Sequence, residues 1–77
     1  MITNIEKHEV SENGKSFKVR FAKVRTEEMT MDVYVVGYSW DNGNRIYHNT
    51  KAFETIEDAA KFYNKKVSEL NVKLFNK

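Results

Sequence analysis

The period of the hydrophobic pattern changes along the chain, and the change separates a strand-forming part from a helix. Phe17, Val19 and Phe21 alternate with Lys18, Arg20 and Ala22, the period of two expected of a strand buried on one face. Val33 to Trp40 and Arg45 to His48 are dense in β-branched and aromatic residues and read as two further strands. Ile5 to Val10 has strand character but is half charged, which makes it the weakest of the four. Beyond Thr55 the apolar residues Ile56, Ala59, Ala60, Tyr63, Val67, Leu70 and Leu74 recur at three and four. That spacing predicts an amphipathic helix over residues 55–72 that buries Ile56, Ala59, Tyr63, Val67 and Leu70. Thr55 suits its N-cap, Asp58 the N3 position, and Glu57 the positive end of the macrodipole, while Lys73 and Lys77 suit the far end.

Two Asn-Gly dipeptides, Asn13-Gly14 and Asn42-Gly43, lie between strand-like runs and fit the two central positions of a type I′ turn. Two hairpins are expected. In the second, a two-residue loop opposes Trp40 to Arg45 and Tyr38 to Tyr47. The strand after Phe21 is reached through Thr26-Glu27-Glu28, which offer no glycine to fix a turn, and is expected to start at Met29. The fold class is α+β: a three- to four-stranded antiparallel meander packed on one C-terminal helix, with residues 1–77 forming one small domain.

Threading the second hairpin sorts its side chains into two unlike faces. Met31, Val33, Val35, Gly37, Ile46 and Ala52 are aliphatic or small and suit close packing under the helix. Tyr34, Val36, Tyr38, Trp40, Arg45, Tyr47, Asn49 and Lys51 share the other face, where rings interleaved with cations suit base stacking and phosphate contact. If Phe17, Val19 and Phe21 join the aliphatic side, Lys18 and Arg20 join the aromatic one. The candidate nucleic-acid contacts are then Lys18, Arg20, Tyr38, Trp40, Arg45, Tyr47 and Lys51. The opposite assignment stays open: large aromatics also make good cores, and Tyr34, Tyr38, Trp40, Tyr47 and Phe53 could lie under the helix instead.

Composition narrows the remaining classes. The 77 residues hold 13 basic and 11 acidic side chains, a formal charge of +2, too little to bind polyanions without a local concentration of cations. Residues 13–25 and 61–77 are the basic stretches. The excess of base argues against a DNA mimic, which is strongly acidic. There is no cysteine, and His8 and His48 stand 40 positions apart without a second ligand at metal spacing, so no metal, cofactor or disulfide is expected. No nucleophile elbow, phosphate loop or paired acid/base set occurs, and the chain is read as non-enzymatic. No apolar run reaches the length of a membrane span and the first residues lack a leader's pattern, so the expected location is cytoplasmic.

Residues Lys51-Ala52-Phe53-Glu54-Thr55-Ile56-Glu57-Asp58-Ala59-Ala60-Lys61-Phe62 resemble the Phe-x-Thr/Ser-x-x-Glu/Asp-Ala passage from third strand to helix in AP2-like domains and in the arm-binding N-terminal domains of phage and transposon integrases. The resemblance covers residues 16–72 in element order and about a dozen positions in motif, and unrelated domains such as WGR modules share the motif. It implies a sheet face opposite the helix that enters a DNA groove, using the same seven candidates. The chain departs from it in its small net charge and its extra N-terminal hairpin. The leading expectation is therefore a non-enzymatic nucleic-acid-binding module, with DNA the favoured ligand. A second reading is a small phage or mobile-element protein that inhibits or assists a host protein, of anti-restriction or anti-CRISPR type. A third is a dimerising structural domain whose aromatic face is the interface.

Overall fold

Asn13 and Gly14 both adopt positive φ, 52° and 77°, and close a two-residue hairpin in which Glu12 faces Lys15. The computed structural model describes residues 2–28 and 30–76, so Met29 and Lys77, named above, lie outside the described residues. Four strands, β1 (Ile2–Glu12), β2 (Lys15–Val24), β3 (Val33–Asp41) and β4 (Ile46–Phe53), form one antiparallel sheet in chain order, followed by α1 (Ile56–Phe75). The charged first strand is thus the longest of the four, with a bulge between Asn4 and Glu6.

The second Asn-Gly forms a different loop. Asp41 faces Ile46, leaving residues 42–45 outside the ladder, and only Gly43 of them has positive φ, 96°. Side chains replace the expected turn. Asn42 Oδ1 accepts from the N–H groups of Asn44 (2.9 Å) and Arg45 (3.0 Å), and Asp41 Oδ1 accepts from Gly43 N–H (2.9 Å). Trp40 therefore faces Tyr47 rather than Arg45, and Tyr38 faces Asn49 rather than Tyr47. Because the slip is two residues, every side chain keeps the face expected of it relative to its own hairpin.

The β2–β3 register decides which face meets the helix. Phe17 faces Trp40, Val19 faces Tyr38 and Phe21 faces Val36, so the apolar row of β2 joins the aromatic row of β3. α1 lies across this side, mainly over β2 and β3, with its Ala59, Tyr63, Leu70 and Leu74 on Phe17, Val19, Phe21 and Val36. The expectation that the aliphatic face lies under the helix is corrected: Tyr34, Tyr38, Trp40 and Phe53 pack against the core, and the aliphatic face is open. Volume explains the choice, since a helix some 10 Å above a sheet needs large rings to fill the gap, and Val35, Gly37 and Ser39 cannot supply it.

The helix starts as expected, with Thr55 Oγ1 accepting from Asp58 N–H at 3.3 Å. It runs beyond residue 72, to an Asn76 cap at φ 57° whose N–H reaches the carbonyls of Asn71 and Val72. Ile56, expected in the core, is 43% exposed in the first turn, and Val67 is half-buried. Burial, reinforced by the negative charge of Glu6, raises the pKa of the Tyr63 phenol above its ordinary value.

Candidate nucleic-acid interface

The seven candidate residues do not form one surface. Lys18 and Arg20 alternate with the buried Phe17, Val19 and Phe21 and so face away from the helix, while Tyr38, Trp40, Tyr47 and Lys51 share the helix side. Arg45 leaves the β3–β4 loop to lean over Tyr47 on that same side, 5.9 Å from its ring centre. The single face predicted from the sequence is thus split into five residues beside the helix and two behind the sheet.

Three of the five, Tyr38, Trp40 and Tyr47, belong to a continuous row of rings along the β4 flank of α1, with Arg45 and Lys51 beside it. Tyr47 stacks on Trp40 (centroids 5.0 Å apart, planes 16°), Trp40 on Tyr38 (5.9 Å, 9°), and Tyr38 meets Phe62 of the helix (5.9 Å), which meets Phe53 (5.3 Å). The row forms because helix positions 62, 66, 69 and 73 repeat at four and three and bring one flank of α1 against the β3–β4 pair.

Cations sit on every ring of this row. Lys73 Nζ lies 4.6 Å from the Trp40 ring centre and Lys66 Nζ 4.8 Å from that of Tyr38. Lys51 Nζ is 5.6 Å from Phe53 and 5.1 Å from Phe62. Each contact lies within cation–π range. Glu69 is the acid among them: it accepts from Lys66 at 3.0 Å and pairs with Lys65 at 3.8 Å. The hydrogen bond from Lys66 holds the Glu69 carboxyl below the usual glutamate range, and the charges of Lys66, Lys65 and Lys73 add to the effect. The ledge keeps a net positive charge. Trp40 is half-buried and its indole Nε1 is fully enclosed with no acceptor, so this ring is a structural part of the ledge as well as a lining one. Lys66 and Lys73 carry no strand signal and lie outside the hairpin that pointed to the aromatics. Only their spacing of seven from each other, and of four from Phe62 to Lys66, placed them together.

Behind the sheet the surface is flatter and chemically mixed. Lys18, Arg20, Gly37, Ser39, His48 and Thr50 surround a shallow depression of about 200 Å³. Arg20 Nε donates to Asn4 Oδ1 (3.0 Å), and Lys7 pairs with Glu9 at 3.7 Å on the neighbouring strand. His8 stacks on Phe17 (5.7 Å) on the helix side, so the two histidines lie on opposite faces. Among the described residues no group of three or more His, Cys, Asp and Glu could hold a metal ion, and no helix is long and apolar enough to cross a membrane. The chain matches no protein-family model, and comparison with curated proteins and with solved structures returned no match.

Proposed function

We propose that this protein is a non-enzymatic nucleic-acid-binding module, and that its contact surface is the ledge between α1 and β4 rather than the face opposite the helix. The observation that carries this reading is the convergence of Arg45, Lys51, Lys66 and Lys73, from a loop, a strand and two turns of helix, on one row of aromatic rings. Lys66 and Lys73 stand about 10 Å apart along the helix axis, room for a sugar-phosphate backbone to run beside them. Tyr47, the outermost ring at 37% exposed, offers a plane on which a base can stack. Such a surface suits a single strand, whose bases are free to stack, better than a duplex, whose bases are paired inside.

Of the contacts that the resemblance to AP2-like and integrase-arm domains implied, Lys18 and Arg20 alone lie opposite the helix. They serve as the internal comparison. The test is fluorescence anisotropy of labelled single- and double-stranded oligonucleotides across a salt series, with the Arg45→Ala and Lys73→Ala variants set against Lys18→Ala and Arg20→Ala. The expected result is salt-sensitive binding of the single strand, with each ledge variant lowering the slope of log K on log salt by about one. No binding at low salt would end the reading. Loss of binding in Lys18→Ala and Arg20→Ala, with the ledge variants unaffected, would move the contact to the open face.

A further inference from the structure

The open sheet has two outer strands, and they are defended very differently. β1 carries Glu6, Lys7, Glu9 and Glu12 and a bulge, the usual means by which an exposed edge avoids pairing with another chain. β4 is eight residues of unbroken register with one formal charge, Lys51, and no proline or bulge, and its Ile46 is 71% exposed. The phase of the ladder shows which groups it offers. Asn42 N–H donates to the Arg45 carbonyl (3.3 Å), so the hydrogen-bonded pairs that follow are Trp40 with Tyr47 and Tyr38 with Asn49. Ile46, His48, Thr50 and Ala52 must then turn their main-chain N–H and C=O groups away from β3. Thr50 bears this out: its N–H donates not to β3 but to Asn49 Oδ1 at 2.8 Å, a side-chain acceptor that a pairing strand would displace.

We infer that β4 is an association edge and that its occupant is a second copy of this chain, paired antiparallel about a two-fold axis at Asn49. In that register Tyr47 lies opposite the partner's Lys51, a cation–aromatic pair of the kind Lys51 already makes with Phe53 and Phe62. Ile46 lies opposite the partner's Ala52, and His48 opposite the partner's Thr50. Sliding by one residue pair one way opposes Arg45 to the partner's Lys51, a like-charge contact, and the other way opposes Ile46 to the partner's Glu54. The axis at Asn49 is the register free of both faults. It keeps residues of one face together, so the product is an eight-stranded sheet with both helices on one side and the two aromatic ledges meeting across the axis. The inference rests on the strand edges and does not require the nucleic-acid reading.

An interface made by one strand from each copy is small, so the dimer is weak and forms with concentration. The test is sedimentation equilibrium of the full chain, without nucleic acid, from about 10 μM to about 1 mM, the range in which small interfaces associate. The average mass is expected to rise from 9.1 kDa towards twice that value. Thr50→Pro, which removes an outward donor at an edge position where proline is tolerated, is expected to stay monomeric with an unchanged far-ultraviolet spectrum. Amide exchange of the native chain supplies the second readout: His48, Thr50 and Ala52 should exchange more slowly at high concentration, and β1 should not. A constant monomer mass up to 1 mM, undiminished association of a folded Thr50→Pro, or concentration-dependent protection in β1 in place of β4 would each overturn the inference.

Discussion

Phe17 and Lys18 are neighbours on β2, yet one is 2% exposed beneath the helix and the other stands in solvent behind the sheet. The same contrast runs the width of the molecule. On the helix side Phe17, Val19, Phe21 and Val36 are buried beneath α1. On the open side the corresponding rows hold Lys18, Arg20, Gly37 and Ser39. The first face holds the buried core of the fold, whereas the second, Ala22 apart, is half-buried or exposed. In a sheet with a single covering helix the chemistry of a face does not by itself reveal its use: aromatic rings that would suit a ligand platform are here shared between core and rim.

Truncating a residue at the centre of the covered face should have the largest effect. Phe17→Ala, which removes a ring in contact with Phe75 and His8, is expected to lower stability by about 3–5 kcal/mol in chemical denaturation. Leu70→Ala, from the helix side of the same contact, should cost about 2–4 kcal/mol. Losses as small as those of surface variants would break the assignment of the covered face. The turns come next. Gly14→Ala and Gly43→Ala both place a side chain at positive φ and should each cost about 1 kcal/mol or somewhat more, measured by thermal melting. Neither position is crowded, since an added Cβ meets nothing within 4 Å at Gly14 and only a carbonyl oxygen at 3.9 Å at Gly43. The cost is therefore conformational, and the two losses should be alike.

The open face should give the smallest changes. Lys18→Ala is expected to stay within about 0.5 kcal/mol of the parent. A loss comparable to that of Leu70→Ala would show that this face is covered in solution and erase the contrast. Acid titration sharpens the picture at the rim. The folded pKa of Glu69 is depressed, so its contribution is present above the ordinary glutamate range and is lost as pH falls through the depressed value. Glu69→Gln should be nearly neutral at acid pH and slightly destabilising at neutral pH, with the carboxyl followed by NMR.

Much of this architecture is legible in the amino-acid pattern. Strand order, the Thr55 cap and the Ala59, Tyr63 and Leu70 stripe follow from period, capping chemistry and spacing, all of which are local. The choice of face was not legible, because it depends on the parity of the β2–β3 pairing, and residues 25–32 contain no turn signal that sets it. One residue more or less in that connection would exchange Lys18 for Phe17 opposite Trp40. The sequence pattern alone accordingly gathers the seven candidates on one surface, whereas the pairing divides them. Lys66 and Lys73 are not legible as ledge residues because what a helix flank lies against is set by its neighbour across space, not by its own spacing. The second Asn-Gly misled in a smaller way: the Asp41 and Asn42 side chains accept from the loop's own amides and favour four residues over two.

Chain-order pairing of the strands has a kinetic consequence. Each strand finds its partner across one short connection, so closing the sheet asks for little loop entropy and can proceed by zipping from either hairpin. α1 is different, for it must return over β4 to reach β2 and β3, and its contacts there span the longest stretches of chain. Docking of the helix is the step at which entropy is surrendered before burial compensates it, and it is expected to shape the transition state. Leu70→Ala should then slow folding by much of its equilibrium effect, and Gly14→Ala, in a hairpin that zips before the helix docks, should slow folding as well rather than act chiefly on unfolding. Stopped-flow chevrons of the two variants would measure this, and an effect of Leu70→Ala confined to unfolding would place helix docking after the transition state.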